Sequence, residues 1–275
     1  MKVGSLELHP IVDAVGDLGA LVELFPAVPA DAWEPYRMLY PDLFVGTTWR
    51  VPLTSYLLQA GGLTVVVDTA IGPPEATDWP LEHAGGLPAS LAELGVEPGD
   101  VDVVFLTHVH VDHVGWNADA AGTPLFPNAR HLIHPDGLMW ALDARSEATY
   151  VQRCLRSLTK GGLVDDVRGG EEIVPGVATI DLPGHLPGQL GLRIGDEAVL
   201  IADAAVHPAL LDEPDWVYLW DHDAEESAAT RRLLVPQIVD SDLLVICGHY
   251  PDGGIGRVVR PHGRNVWEPA REATP

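Results

Sequence analysis

Basic residues are scarce in this chain: 16 Lys and Arg stand against 40 Asp and Glu, for a formal charge of −24. A surface this acidic repels a phosphate backbone, so nucleic acid is not an expected partner. Cysteine is scarcer still, with only Cys154 and Cys247 among 275 residues. The two match no paired zinc-ligand spacing, and the simplest reading is a reducing compartment without a disulfide. Cys247 reads as a small buried apolar residue at a strand end. No run of eighteen apolar residues occurs, so no membrane-spanning helix is expected. The N-terminal stretch alternates polar and apolar residues and carries Glu7, Asp13 and Asp17. A signal peptide needs a continuous apolar stretch there, which makes a cytoplasmic location the expectation. No dinucleotide fingerprint follows the first predicted strand, and no short-period repeat is visible.

What is present is a large apolar complement, 47% of the residues, enough for a sizeable core. Strands are predicted at 5–12, 54–60 and 63–69, the last two joined as a hairpin through Gly61-Gly62. The run VDVVFLT (101–107) is short, apolar and β-branched, which suits a strand buried on both faces. Further strands are predicted at 130–134, 177–182, 189–194, 197–202 and 243–247, with one or two more in the tail. Helices are predicted at 87–94, 136–159 and 224–239, the second stopped by Gly161-Gly162. Two loosely similar halves, each strands then helix, fit a layered α/β/β/α sandwich over residues 1–275 as a single domain. Residues 18–48, with Phe25, Trp33, Tyr36, Tyr40 and Phe44, read as an N-terminal arm. Such an arm covers the site, pairs two subunits into a homodimer, or simply packs on the core.

The chemistry concentrates in Thr107-His108-Val109-His110-Val111-Asp112-His113, directly after a predicted buried strand. Neutral imidazole and carboxylate are common ligands for zinc-like ions. Four such groups in six residues cannot all point one way on a strand. On a turn they diverge and converge on two neighbouring ions, His108 and His110 on one, Asp112 and His113 on the next.

This segment resembles the HxHxDH signature of the metallo-β-lactamase superfamily. The later motifs of that family follow in order. His185 lies in LPGHLPGQLG, Asp203 follows AVLIA, and His249 follows LLVIC within Cys-Gly-His-Tyr-Pro. The resemblance implies a four-layer αββα sandwich with two divalent ions, zinc by expectation, with iron, manganese or cobalt as alternatives. It places His108, His110 and His185 on the first metal and Asp112, His113 and His249 on the second. It makes Asp203 the bridge, and Asp68 a carboxylate behind a ligand histidine. Thr107 either bonds such a carboxylate or caps the strand.

The phrases LTHVHVDHVGWN, PDWVYLWDHDAEESAATRRLL and GHYPDGGIGRVVR are similar to the acyl-homoserine lactonase and methyl parathion hydrolase-like branch. That resemblance implies a dinuclear hydrolase opening a small-molecule lactone or ester by attack of a metal-bridging hydroxide, with Asp112 taking up or relaying the proton. A phosphotriester hydrolase with the same site and a non-catalytic metabolite-binding member of the fold stand as alternatives. Many acyl-homoserine lactonases carry a tyrosine three residues after the bridging aspartate. Here that position is Val206, and His207 beside it is a candidate polar contact. Trp116, Trp216, Trp220 and Tyr250 are candidates for the wall of an apolar pocket.

Overall fold

The computed structural model describes residues 1–74, 79, 81–143 and 149–270. Among these residues, nine strands form one sheet and seven form another. The first holds β1 (Lys2–Val3), β2 (Leu6–Ala20), β3 (Phe44–Val45), β4 (Thr48–Ala60), β5 (Leu63–Val67), β6 (Leu81–His83), β7 (Val103–Phe105), β8 (Arg130–Ile133) and β9 (Val164–Asp166). Its main path runs β1-β2-β4-β5-β7-β8-β9, antiparallel up to β5 and parallel from β5 onward. The second runs in chain order: β10 (Glu172–Val174), β11 (Val177–Asp181), β12 (Leu190–Ile194), β13 (Ala198–Leu200), β14 (Leu244–Ile246), β15 (Ile255–Val259) and β16 (Val266–Pro269). Only β13 and β14 pair in parallel there.

Strand alternation explains the layers. Val65 and Val67 face the second sheet, with Leu192, Leu200 and Ile246, while Val66 between them faces outward. The outward face of the first sheet packs on α3 (Leu87–Glu93), α5 (Pro135–Leu142) and α6 (Thr149–Lys160) through Leu91, Ala141 and Leu155. The second sheet repeats the device. Leu244 and Ile246 point to the sheet interface, and Val245 points to α8 (Ala224–Ile238), where Leu234 and Ile238 meet it. Each such side chain contributes about 1.5–3 kcal/mol when fully buried. The result is the expected αββα sandwich. No helix among the described residues is long and apolar enough to cross a membrane.

The β4–β5 hairpin forms as expected, with Gly61 and Gly62 both at positive φ (60° and 85°), the backbone that a two-residue turn between twisted strands requires. Two expectations need correction. The single helix predicted over 136–159 is two helices, α5 and α6, and residues 144–148 between them lie outside the described residues. The first strand does not stop at residue 12. It continues to Ala20, paired along β4 to Thr48, by absorbing two bulges near Asp13 and Leu18 that reset its register. The arm therefore begins after Ala20. Its aromatic residues are core: Phe25, Trp33, Tyr36 and Tyr40 are all buried, clustered with Trp49, Leu210 and Trp267.

Candidate metal centre

The candidate ligands sit where strands of both sheets end on one edge. His108 and His110 follow β7, and Asp112 and His113 lie in the single turn α4 (Val111–Val114). His185 follows β11, Asp203 follows β13, and His249 follows β14. The 108–115 segment is pinned by the chain leaving β5: Thr69 N–H donates to His113 O, and Gly115 N–H to Ala70 O. Leu190 N–H donates to Thr107 O and ties the two sheets together beside the site.

Hydrogen bonds on the far side of each ring select which nitrogen faces inward. His113 Nδ1 donates to Asp68 Oδ2 at 2.8 Å, His185 Nδ1 to Asp221 Oδ1 at 3.0 Å, and His249 Nδ1 to the Pro52 carbonyl at 3.0 Å. Thr107 Oγ1 donates to Asp68 Oδ2 at 2.8 Å and so accepts from His108 Nδ1 at 3.1 Å. These partners leave four Nε2 lone pairs turned inward. Asp68 also accepts from Thr107 N–H at 2.8 Å, so its carboxylate is held by three donors. It sits at φ 55°, a left-handed backbone that ends β5 and turns the side chain under the metal loop.

Three groups of side chains could each hold a cation: His108–His110–His185, His108–His113–Asp203, and Asp112–His113–His249. In the first, His110 Nδ1 lies 3.1 Å from His108 Nε2 and 3.0 Å from His185 Nε2. Ligand nitrogens about 2.0–2.1 Å from a tetrahedral ion stand roughly 3.3 Å apart. Asp203 Oδ2 lies 3.4 Å from His185 Nε2 and 3.2 Å from His249 Nε2, between the two outer groups. Two buried atoms, His113 Nε2 and Asp203 Oδ1, have no hydrogen-bond partner. Inward lone pairs at this spacing and orphaned donor atoms fit a pair of metal ions.

The field across the centre is uneven. Burial disfavours charge on His113, but Asp203, Asp68 and Asp112 outweigh it and hold its imidazole well above the usual histidine range. Burial likewise opposes, and Asp203 and Asp112 overcome, at His249. Burial and then neighbouring His113 push His108 well below that range, and burial with His185 does the same to His110. Burial opposes ionisation of Asp203, yet His249 and His113 keep it well below the usual carboxylate value.

Above the centre lies a pocket of ≈ 410 Å³. His110, Asp112, His185, Asp203 and His249 form its floor, with Trp49, Trp79, Trp140, Tyr218 and Trp220 among its walls. Of the proposed wall residues, Trp220 is present. Trp116 is not: its indole N–H donates to Asp13 Oδ1 at 2.9 Å, which turns the ring away. Tyr250 is fully buried against Trp267, its hydroxyl donating to Ala205 O at 2.8 Å. Trp216 packs on Trp33 and Tyr36. His207 does not reach the pocket either. It is fully buried with Trp33, Phe44 and Trp49 edge-on around it, and its Nδ1 accepts from Ala209 N–H.

The sequence reading missed Trp49, Trp79, Trp140, Tyr218 and the Asp221–Arg231 pair. Arg231 is fully buried and lies 3.5 Å from Asp221 Oδ2. Its other N–H groups go to Pro214 O, Trp216 O, Ala204 O and Ser227 Oγ. One local signal was available. Asp223 caps α8 by accepting from Glu226 N–H, and its own N–H reaches Gly184 O, so the acids just before that helix must lie beside His185.

An αββα sandwich with histidine-rich candidate cation sites on one strand edge points to a class of metalloproteins. The metallo-beta-lactamase superfamily profile matches residues 48–249, and the chain belongs to that superfamily. An N-acyl homoserine lactonase, AiiB, from Agrobacterium fabrum is 27% identical over 180 residues, 56% of this chain and 63% of that protein. The match thus spans under two thirds of that relative's length. The solved dizinc quorum-quenching lactonase AidC, in complex with a product, N-hexanoyl-L-homoserine, has a TM-score of 0.85 at 21% identity, covering 100% of this chain and 97% of its own. The solved hydrolase AbOPH gives 0.84 at 20%, with the same coverage.

Proposed function

We propose that the chain is a metal-dependent hydrolase that opens neutral lactones bearing an apolar substituent. The observation that carries this reading is the Asp203 carboxylate set between two His/Asp groups at the floor of an apolar pocket. Two divalent ions, zinc by preference, supply a Lewis acid for the carbonyl and an activated water when bound. His108, His110 and His185 would hold one, Asp112, His113 and His249 the other, and Asp203 would serve both. Asp112 also lines the pocket, within reach of bound substrate, and is the carboxylate placed to accept and pass on a proton.

The walls select the substrate. No Lys or Arg is among the described residues that line the pocket. Away from the metal floor, a substrate carboxylate or phosphate therefore meets no Lys or Arg, while an acyl or aryl group meets indole faces. Relatives named as N-acyl homoserine lactonases support a lactone. Neutral phosphotriesters pass the same walls and are expected as a weaker side reaction.

The test is a panel of lactones with lengthening acyl chains, aryl esters, phosphotriesters and one anionic lactone, assayed on metal-loaded protein. The expected result is kcat/KM rising with chain length and lowest for the anionic lactone. Protein holding two metal equivalents that turns over no lactone sinks the reading.

A further inference from the structure

The two candidate metal positions have the same number of ligands of their own but not the same charge behind them. Behind the His108–His110–His185 position stands Asp221, bonded to His185 Nδ1 at 3.0 Å, and behind Asp221 stands Arg231 at 3.5 Å. Both side chains of that ion pair are only 1% exposed, so water does little to screen it. Three neutral imidazoles and a neutralised carboxylate leave this position with no net charge of its own.

The other position differs. Asp112 is itself a ligand candidate, and Asp68 stands behind His113 at 2.8 Å. The groups that hold Asp68 are Thr107 N–H, Thr107 Oγ1 and His113 Nδ1, and no Arg or Lys is among them. This position therefore carries two formal negative charges, and Asp203 adds one that both positions share.

We propose that the two positions fill in a fixed order, Asp112–His113–His249 first and His108–His110–His185 second, and that the second ion is the exchangeable one. The proposal rests on the two-metal reading above. A divalent cation entering a buried site is drawn to carboxylates that no Arg or Lys cancels, and affinity follows the ligand charge count. Asp203 is common to both positions and does not discriminate. Arg231 widens the difference: it cancels Asp221, so the two positions differ by two charges of their own rather than one. Once the first ion is seated, part of the Asp203 charge is already satisfied, which weakens the second step further.

The experiment titrates metal-free protein with Co²⁺, followed by calorimetry and visible absorption, and repeats it on Asp68→Asn. Asparagine tolerates the left-handed backbone at 68, so the variant changes charge with little change in shape. The wild type is expected to bind in two steps whose Kd values differ at least tenfold. Asp68→Asn should weaken the tight step about 10–100-fold and leave the weak step within about threefold. A crystal grown at one equivalent should show the ion between His113 and His249. Two equal steps, or a first ion between His110 and His185, overturn the order while leaving the two-metal reading intact. Total binding below two equivalents overturns both.

Discussion

Tyr218 and His185 lie ring over ring, their centroids 6.0 Å apart and their planes 14° from parallel. The tyrosine ring is itself fixed by Phe25, Trp49 and Trp220. It carries the one hydroxyl among the described side chains that line the pocket. A rigid donor beside a metal site can stabilise an oxygen that gains charge in the transition state. Tyr218→Phe keeps the ring and removes the donor. The expected outcome is a fall in lactone kcat of about a hundredfold, with KM and metal content near wild type. An unchanged kcat would show that the hydroxyl is idle and that the ring alone matters.

Asp203 offers one oxygen to both groups of ligands, so its loss should be felt twice. Asp203→Ala is expected to lose both metal equivalents on dialysis, and activity by more than about a hundredfold, beyond the cost of deleting a group behind a ligand. Elemental analysis and a lactone assay on the same sample check this. Wild-type metal content in the variant contradicts the shared role.

Gly115 closes the metal loop where no side chain fits. A Cβ there would collide with the Ile71 carbonyl and the Gly72 nitrogen, both backbone groups with no room to move. Gly115→Ala is expected to destabilise the fold by about 3 kcal/mol through overpacking, read as a lower midpoint in urea. Unaltered stability would mean that the 70–72 turn is free to shift.

Two histidines outside the centre make the fold acid-sensitive. Burial lowers His131 to about 4 and His207 to about 3. Both are neutral in the fold and protonate near 6.5 when unfolded. The unfolded chain therefore takes up more protons as acid is added. Their contribution is full above pH 6.5, declines as pH falls below it, and levels off only below the two folded values. At pH 5 the pair costs about 4 kcal/mol. His131→Leu should shrink the stability difference between pH 7 and pH 5 by about 2 kcal/mol in urea titrations. An unchanged difference sinks this assignment.

Much of the candidate centre was legible because the side chains that the structure brings together there lie at short local spacing or at strand ends. His108 to His113 announce themselves within six residues, and Asp203 and His249 each follow an apolar strand. The pocket walls were not legible. Trp49 is the second residue of β4, just past the arm, and nothing in its local sequence says that its ring edges His249 as well as the core. Trp116 misled for the converse reason. Adjacency to the metal loop suggested a pocket wall, but the bulge at Asp13 supplies an acceptor on the opposite side. Arg231 reads in sequence as one of several charges on the helix predicted at 224–239. Only the packed structure shows that it faces inward toward an aspartate ten residues earlier. The layer order was readable from two halves, each of strands followed by a helix, whereas the two bulges that lengthen β2 leave no compositional mark.

The inward-facing side chains come from both sheets, and the most C-terminal of them, His249, follows β14. On the proposed ligand set, a chain still being synthesised cannot complete both positions until residue 249 has left the ribosome. Until then the histidines of the 108–113 segment are exposed to whatever cations the surroundings offer, and capture of the pair must wait for the second sheet to dock.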